Sequence, residues 1–351
     1  MMESLLKEWE GETLITRYDR PTGVWIFIAI HSTRLGPAVG GTRMKSYPDA
    51  KAALYDALRL AAGMTHKFAV PRMPFGGGKA VISVPPDFDP QSRPALLRRY
   101  GSLVHQLNGL YSTAPDVGTS SSDMDIIAEN GAPYVYGRTP AAGGAGPSGP
   151  ATALGVFAGM QIACEHLFGE GSLKGRTVLV QGVGSVGETL INHLREAGAE
   201  IMFNDIDESV IKRYQDELGL QFISNEVVYT TECDIFAPCA LGGVLNASTI
   251  PKLKCRAVVS GANNQLALPE DAESLQARGI LYAPDYVVNV GGAMAGLGLE
   301  AQGWTRERAE REVVEHVQRG LRRIFEVAIS EGITTEVAAS RIAKEHLSAE
   351  G

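Results

Sequence analysis

One stretch constrains the fold of this 351-residue chain more than any other. Thr177-Val178-Leu179-Val180-Gln181 is a short apolar run, followed directly by Gly182-Val183-Gly184-Ser185-Val186-Gly187 and a helical pattern over 187–197. A second apolar run over 200–204 ends at Asp205, 18 residues after Gly187. Glycines at the first, third and sixth positions between a strand and a helix fit GxGxxG in the context that pattern needs. The first glycine permits a tight turn, the second lets backbone approach a pyrophosphate, and the third allows close helix–strand packing. The helix N-terminus then offers unpaired N–H groups to the phosphates. An acid ending the second strand can accept hydrogen bonds from an adenine-ribose 2′-hydroxyl and would repel a 2′-phosphate. The stretch therefore reads as a dinucleotide site made by Gly182, Val183, Gly184, Ser185, Val186, Gly187 and Asp205, for NAD rather than NADP. The bland alternative is a structural turn beside an unrelated surface acid.

The rest of the second half continues the alternation. Residues 210–218 read as a helix, 234–237 and 257–260 as strands. This order predicts a parallel sheet covered by helices. Val313, Val317, Leu321, Ile324 and Ala328 recur at helical spacing, and a last helix is expected over 335–347. In the first half, 13–30 reads as two strands around Arg20-Pro21-Thr22-Gly23. Residues 49–63 read as a helix with Gly63 as its stop, 93–108 as another, and Ser122-Asp123-Met124-Asp125 as a helix start. Between the halves, the segment 140–150 holds only Gly, Pro, Ala and Ser and reads as a linker or hinge, or more plainly as a surface loop.

Composition narrows the function classes. Hydrophobic residues at 44% and charged residues at 21% supply a core for about two domains. A net charge of −8 without a basic block argues against nucleic acid as a partner. No apolar run is expected to approach the ~20 residues needed to span a bilayer. The start of the chain lacks a signal-peptide core. Cys164, Cys233, Cys239 and Cys255 are too scattered for a disulfide scaffold or a metal module. The expectation is a soluble cytoplasmic protein with no membrane partner and no metal.

Three residues stand out in the first half: Lys67 before Phe68-Ala69-Val70, Lys79 after Gly76-Gly77-Gly78, and Asp116 within Ala114-Pro115-Asp116-Val117-Gly118. Lysines are ordinarily solvated surface residues. At the edge of a buried strand or turn, however, a lysine can point into a cleft. There desolvation and a second cation favour its neutral form, which suits acid–base chemistry.

These stretches, together with Gly36-Pro37-Ala38-Val39-Gly40-Gly41-Thr42-Arg43, Met73-Pro74-Phe75, Ala237-Pro238-Cys239-Ala240, Gly261-Ala262-Asn263-Asn264 and Tyr282-Ala283-Pro284-Asp285-Tyr286, lie in order along most of the chain. The sequence resembles the glutamate/leucine/phenylalanine/valine dehydrogenase family, in its leucine and phenylalanine dehydrogenase branch. The resemblance implies an α/β fold of two domains. Residues 1–139 would form a substrate and oligomerisation domain, 140–150 a hinge, 151–328 an NAD-binding Rossmann domain, and 329–351 a C-terminal helix returning to the first domain. It implies that Lys67 binds the substrate α-carboxylate, that Lys79 activates the water attacking an imino carbon, and that Asp116 carries protons to and from the substrate nitrogen. Asn263 would bond the carboxylate end, Gly40 and Gly41 would lend backbone, and Thr152 would touch the nicotinamide amide. Asn264 and the loop at Ala237, Pro238 and Cys239 would lie near the cofactor. The implied reaction is reversible oxidative deamination of an L-amino acid to a 2-oxo acid and ammonia, by a homo-oligomer.

By the same resemblance, Val39, Ala114, Ala293 and Gly296 would meet the substrate side chain. The small Ala293 and Gly296 favour an aromatic side chain over leucine or another branched chain. The Gly143–Pro150 run lacks the acid usual in the leucine branch, which leaves hinge closure open. Two other readings stand beside this one: an amine dehydrogenase, which the carboxylate-binding Lys67 and Asn263 oppose, and a catalytically silent NAD sensor, which the lysine–aspartate set opposes. His66 and Cys239 are expected to pack rather than react, and 306–312 to be a solvated helix face.

Overall fold

The computed structural model describes residues 2–349. It is an α/β protein of two compact units. One holds the chain to Pro147, Gly296–Trp304 and the chain from Ala343; the other holds Ser148–Ala295 and Thr305–Ile342.

In the first unit, α1 (Met2–Trp9), β1 (Thr13–Asp19), β2 (Val24–Ser32), β3 (Ala38–Lys45), α2 (Ala50–Ala69), β4 (Gly76–Ser83), α3 (Arg93–Gln106), β5 (Tyr111–Pro115) and α4 (Ser121–Gly131) follow in order. The sheet runs β1-β2-β4-β3-β5. The apolar run of β2 is buried on both faces apart from Trp25. One face packs Ile26, Ile28, Ile30 and Ile82 against Leu96, Tyr100 and Val104 of α3 and Ile127 of α4. The other packs Phe27, Ala29 and Val81 against Ala53, Leu54, Ala57, Leu58 and Ala61 of α2. Asp49 caps α2 by accepting from the Ala52 N–H at 2.7 Å. Ser120 and Asp123 close a reciprocal capping box on α4.

The expected stop at Gly63 is overridden: α2 runs on to Ala69 and carries Lys67 in its last turn. A mid-helix glycine costs only about 1 kcal/mol, and burial of Thr65, Phe68 and Ala69 beyond it offsets that. Lys79, expected at the edge of a buried strand or turn, sits inside a strand. Gly76, Gly77 and Gly78 are strand residues of β4 because neighbours crowd them. A Cβ on Gly77 would lie 2.1 Å from Thr65 Oγ1 of α2.

The second unit begins with α5 (Gly149–Phe168), then β6 (Thr177–Gln181), α6 (Ser185–Glu196), β7 (Glu200–Asn204), α7 (Glu208–Lys212), β8 (Gln221–Phe222), β9 (Glu232–Pro238), β10 (Lys254–Val259), α8 (Asp271–Ala277), β11 (Leu281–Ala283) and α9 (Asp285–Val288). Then come α10 (Gly291–Ala301), α11 (Arg306–Glu331) and α12 (Thr335–Ser348). Its sheet has the order β11-β10-β9-β6-β7-β8, parallel throughout. This is the sheet the βα alternation predicted. The chain crosses into the first unit within α10, at Gly296, and again within α12, at Ala343. The expected bounds differ here: 329–342 groups with the second unit and 296–304 with the first. In the first unit, His346 Nδ1 lies 2.8 Å from the Ala69 carbonyl. Trp304 packs over Gly298, its ring 2.1 Å from where a Cβ would stand.

α5 corrects the expectation that no apolar run reaches membrane-spanning length. It is 20 residues long with a mean hydropathy of 1.2, enough by length and composition alone. Its apolar surface is spent inside the second unit. Gly155 lies 2.5 Å, from an added Cβ, off the Val288 carbonyl, and Gly159 2.7 Å off the Val288 side chain. These glycines let α9 and α11 approach closely.

Candidate active site

In the first unit, sheet register gathers the charged set. β3 lies between β4 and β5, with Thr42 opposite Ala80 and Gly41 opposite Ala114. Lys79 of β4 is 6% exposed. Its Nζ stands 3.0 Å from Asp116 Oδ2, just beyond β5. Asp116 is held by its backbone as well: its N–H donates to Thr119 Oγ1 at 3.0 Å, and that hydroxyl donates to the Thr42 carbonyl at 2.8 Å. Gly40 and Gly41 are small for steric reasons. A Cβ on Gly40 would fall 1.7 Å from the Gly78 carbonyl oxygen, and one on Gly41 2.8 Å from the Asp116 Cβ. Val39 is buried on β3, Ala114 half-buried on β5, and Lys67 half-buried on α2.

Burial pushes the Lys79 ammonium below the usual lysine value, against the pull of Asp116. Burial alone would raise Asp116, but the Lys79 and Arg43 charges outweigh it and hold its carboxyl below the usual range. The site thus sets a carboxylate held below its usual range against a lysine more acidic than a solvated one. Burial pushes the half-buried His66 down to about 4, with His31 and Lys344 adding to the effect.

Sequence reasoning missed three residues here. Arg43 Nε reaches Asp116 Oδ2 at 2.9 Å while Arg43 NH1 reaches Asp56 Oδ2 at 3.1 Å. Tyr47 donates to the same Asp56 oxygen at 2.7 Å. Arg43 ends one of the motif stretches but had no assigned role. The available signal for Asp56 was an acid between Leu54 and Ala57 on the apolar side of α2.

The second unit holds the nucleotide set at the carboxyl end of its strands. Gly182 turns with φ +91°, a conformation that favours glycine. A Cβ on Gly187 would stand 2.0 Å from the Gly182 carbonyl oxygen, so the third glycine permits the close approach of α6. Nothing lies within 4 Å of a Cβ on Gly184, which caps α6. That open face beside the first-turn N–H groups of Ser185, Val186 and Gly187 fits a pyrophosphate. Asp205 Oδ2 accepts the Val183 N–H at 2.7 Å, and Oδ1 accepts those of Ile206 and Asp207 at 2.7 and 2.9 Å. These residues thus fit a dinucleotide.

Ala237 and Pro238 end β9, and the Cys239 N–H donates to the Gln181 carbonyl at 2.7 Å. Burial pushes the Cys239 thiol up to about 12, which fits a packing role. Thr152 of α5 donates to the Ser148 carbonyl at 2.9 Å. Asn263 and Asn264 are exposed on the loop after β10. That loop is strapped by residues the sequence reading left unassigned: Asn289 donates to Asn263 Oδ1 at 2.8 Å, and Asp285 accepts the Asn264 N–H at 2.8 Å. Ala293 and Gly296 lie one turn apart on α10. Among the described residues no group of His, Cys, Asp and Glu is arranged to hold a metal ion.

Two family models match the chain: the Glu/Leu/Phe/Val dehydrogenase dimerisation domain over residues 19–132, and Glutamate/Leucine/Phenylalanine/Valine dehydrogenase over 143–207 and 203–350. Leucine dehydrogenase of Geobacillus stearothermophilus is 43% identical over 97% of this chain and 92% of its own length. Phenylalanine dehydrogenase of Lysinibacillus sphaericus is 42% identical over 94% of this chain and 87% of its own. The crystal structure of L-tryptophan dehydrogenase from Nostoc punctiforme superposes with a TM-score of 0.86 at 37% identity, covering 100% of this chain and 99% of that one. Such closely spaced identities give no support to the expected aromatic preference. The family uses NAD or NADP. The chain belongs to the Glu/Leu/Phe/Val dehydrogenase family and is an amino acid dehydrogenase of the Leu/Phe/Val type, acting on CH–NH2.

Proposed function

We propose that this protein catalyses the NAD-dependent, reversible oxidative deamination of an L-amino acid with an apolar side chain, leucine-like in the first instance. The observation that carries the reading is the buried Lys79–Asp116 pair at 3.0 Å. In this reading the first unit is the substrate-binding and oligomerisation domain of a cytoplasmic homo-oligomer, and the second binds NAD. Lys67 receives the α-carboxylate as a point charge, joined by Asn263. NAD, when bound to the second unit, would supply the acceptor for the Cα hydride, and Asp116 takes the proton that the substrate nitrogen gives up as the imine forms. Lys79, whose neutral amine is favoured by burial, takes a proton from the water that adds to the imino carbon. Asp116 carries a proton to the nitrogen, which leaves as ammonia while the carbinol oxygen becomes the 2-oxo group. Asp205 favours NAD, because its carboxylate would repel a 2′-phosphate.

The leucine-like reading is supported by the 43% identity to leucine dehydrogenase. An aromatic substrate is a second reading, favoured by Gly296, where nothing lies within 4 Å of a Cβ. One added methylene in an apolar pocket changes discrimination by only about 1–3 kcal/mol, so overlap between the two is expected. The test is NADH consumption with ammonia and a panel holding 4-methyl-2-oxopentanoate, phenylpyruvate, indolepyruvate and 2-oxoglutarate. Turnover should fall by about 10²–10⁴ in Lys79→Ala while NADH binding persists. Silence of the unaltered protein on every substrate, with NADH still bound, would sink the proposal.

A further inference from the structure

Arg43 lies on β3 between two carboxylates. Its Nε meets Asp116 Oδ2 at 2.9 Å and its NH1 meets Asp56 Oδ2 at 3.1 Å. Lys79 Nζ approaches that same Oδ2 of Asp116 at 3.0 Å. Both cations thus crowd one oxygen, and among the described residues no donor reaches Oδ1. Asp56 is itself held, by the Tyr47 hydroxyl at 2.7 Å and by Arg59 NH2 on Oδ1 at 3.0 Å. Asp116 has little freedom to turn. Its N–H is tied through Thr119 to the Thr42 carbonyl, and its Cβ rests where Gly41 leaves room.

We propose that Arg43 is a positioning residue for the deamination. Together with Lys79 it holds Oδ2 of Asp116, leaving Oδ1 as the oxygen that exchanges protons with the substrate nitrogen, and Asp56 holds Arg43 in that pose. This rests on the reading of Asp116 as the proton carrier. A planar guanidinium suits the task, since two of its edges can span two carboxylates at once. It also stays protonated throughout the working range, so it orients without competing for the proton. A lysine at position 43 could restore the charge but not both contacts.

The charged neighbours make the idea separable from simple structural support. Asp116 is faced by Lys79 from β4 and Arg43 from β3. Lys79 is faced by Asp116, Arg43 and, from α2, Asp56. Removing the Arg43 charge raises the proton affinity of both Asp116 and Lys79. Removing the Asp56 charge withdraws support from the Lys79 ammonium and lowers its proton affinity.

The experiment compares pH profiles of kcat and KM for Arg43→Gln, Arg43→Lys, Asp56→Asn and the unaltered protein, with NADH binding followed by fluorescence. Arg43→Gln should lose about 10²-fold in kcat, the scale of a misplaced catalytic group. The amino acid KM should change little, because the carboxylate is bound elsewhere. Both limbs of its profile should move to higher pH. Arg43→Lys should recover the limbs and only part of the rate. Asp56→Asn should move the lysine limb to lower pH.

A kcat for Arg43→Gln within about twofold of the unaltered value, or limbs that move the same way in Arg43→Gln and Asp56→Asn, would overturn the proposal. If Arg43→Gln does not fold, Arg43→Lys decides: full kcat there overturns it equally. If the unaltered protein turns over no amino acid, the functional reading fails by itself. The clamp is then read without turnover, by 13C titration of the Asp116 carboxyl assigned with Asp116→Asn. An upward shift in the Arg43 variants that lose the charge supports the clamp, and no shift overturns it.

Discussion

Both units use glycine at the heart of their sites, for opposite reasons. In β3 and β4 the glycines stand where there is no room: a Cβ on Gly40 would fall 1.7 Å from the Gly78 carbonyl oxygen. Their smallness lets adjacent strands and α2 close up, so that Lys79 and Asp116 are buried together. At Gly184 there is nothing within 4 Å, and the missing side chain leaves backbone open to a ligand. One site is built of side chains brought together by crowding, the other of backbone kept bare. The sharpest way to break this contrast is a pair of alanine substitutions. Gly40→Ala should cost stability by more than the ~1–3 kcal/mol typical of overpacking, because the obstacle is backbone that cannot rotate away. Gly184→Ala should melt within about 1 kcal/mol of the unaltered protein and instead weaken NADH binding. Thermal melts with and without NADH read both. Equal destabilisation of the two variants would show that the glycines serve one purpose.

The units also differ in what titrates inside them, and the signs are opposite. His66 of the first unit is pushed from 6.5 to about 4, chiefly by burial. Its folded value is depressed, so between those two pH values the unfolded chain binds a proton that the folded chain refuses. Stability is present above the unfolded value and is lost as pH falls through the window. Glu336 of the second unit is raised from 4.5 to about 7, by burial first and the Asp285 charge second, with the Tyr286 hydroxyl opposing. Here the folded chain holds a proton that the unfolded chain releases. Stability is present below the unfolded value and is lost as pH rises toward the folded one. At ~1.4 kcal/mol per pH unit, each group contributes at most about 3.5 kcal/mol. His66→Gln should therefore flatten the acid side of the melting-temperature profile and Glu336→Gln its neutral side. Profiles altered on the wrong sides would refute the assignment.

The same contrast explains what could be read from sequence. The nucleotide site is local: strand, three glycines, helix and acid fall within residues 177–205, and the structure has β6, α6 and β7 in that span. The charged site gathers residues 43, 56, 79 and 116 from β3, α2, β4 and the end of β5. No local period marks such a set; resemblance pointed to Lys79 and Asp116, while Arg43 and Asp56 needed the register of β3. Helix α5 escaped notice for a different reason. Its residues are apolar on most sides, so no polar face marks a helical period, and the use of Gly155 and Gly159 shows only where Val288 and α11 pack against them. Gly63 misled in the converse way, since burial of the turns beyond it outweighs one poor helix former.

A smaller effect sharpens the contrast at the edge of the nucleotide site. Asp205 is the one acidic side chain proposed to read the cofactor, yet its oxygens already serve the backbone. They accept the N–H groups of Val183, Ile206 and Asp207. Asp205→Ser thus removes the proposed ribose contact and a support of the glycine turn together, so a lower NAD affinity alone would not separate the two. The ratio does. Loss of turn geometry weakens NAD and NADP alike, whereas loss of the carboxylate relieves repulsion of a 2′-phosphate and weakens only the ribose bonds. We expect NAD to bind about tenfold more weakly in Asp205→Ser, the scale of one charge-assisted hydrogen bond, and the NAD/NADP affinity ratio to fall by at least as much. Titration of both cofactors by fluorescence measures it. An unchanged ratio would make Asp205 a residue that braces the turn, and would leave cofactor choice to the exposed backbone around Gly184.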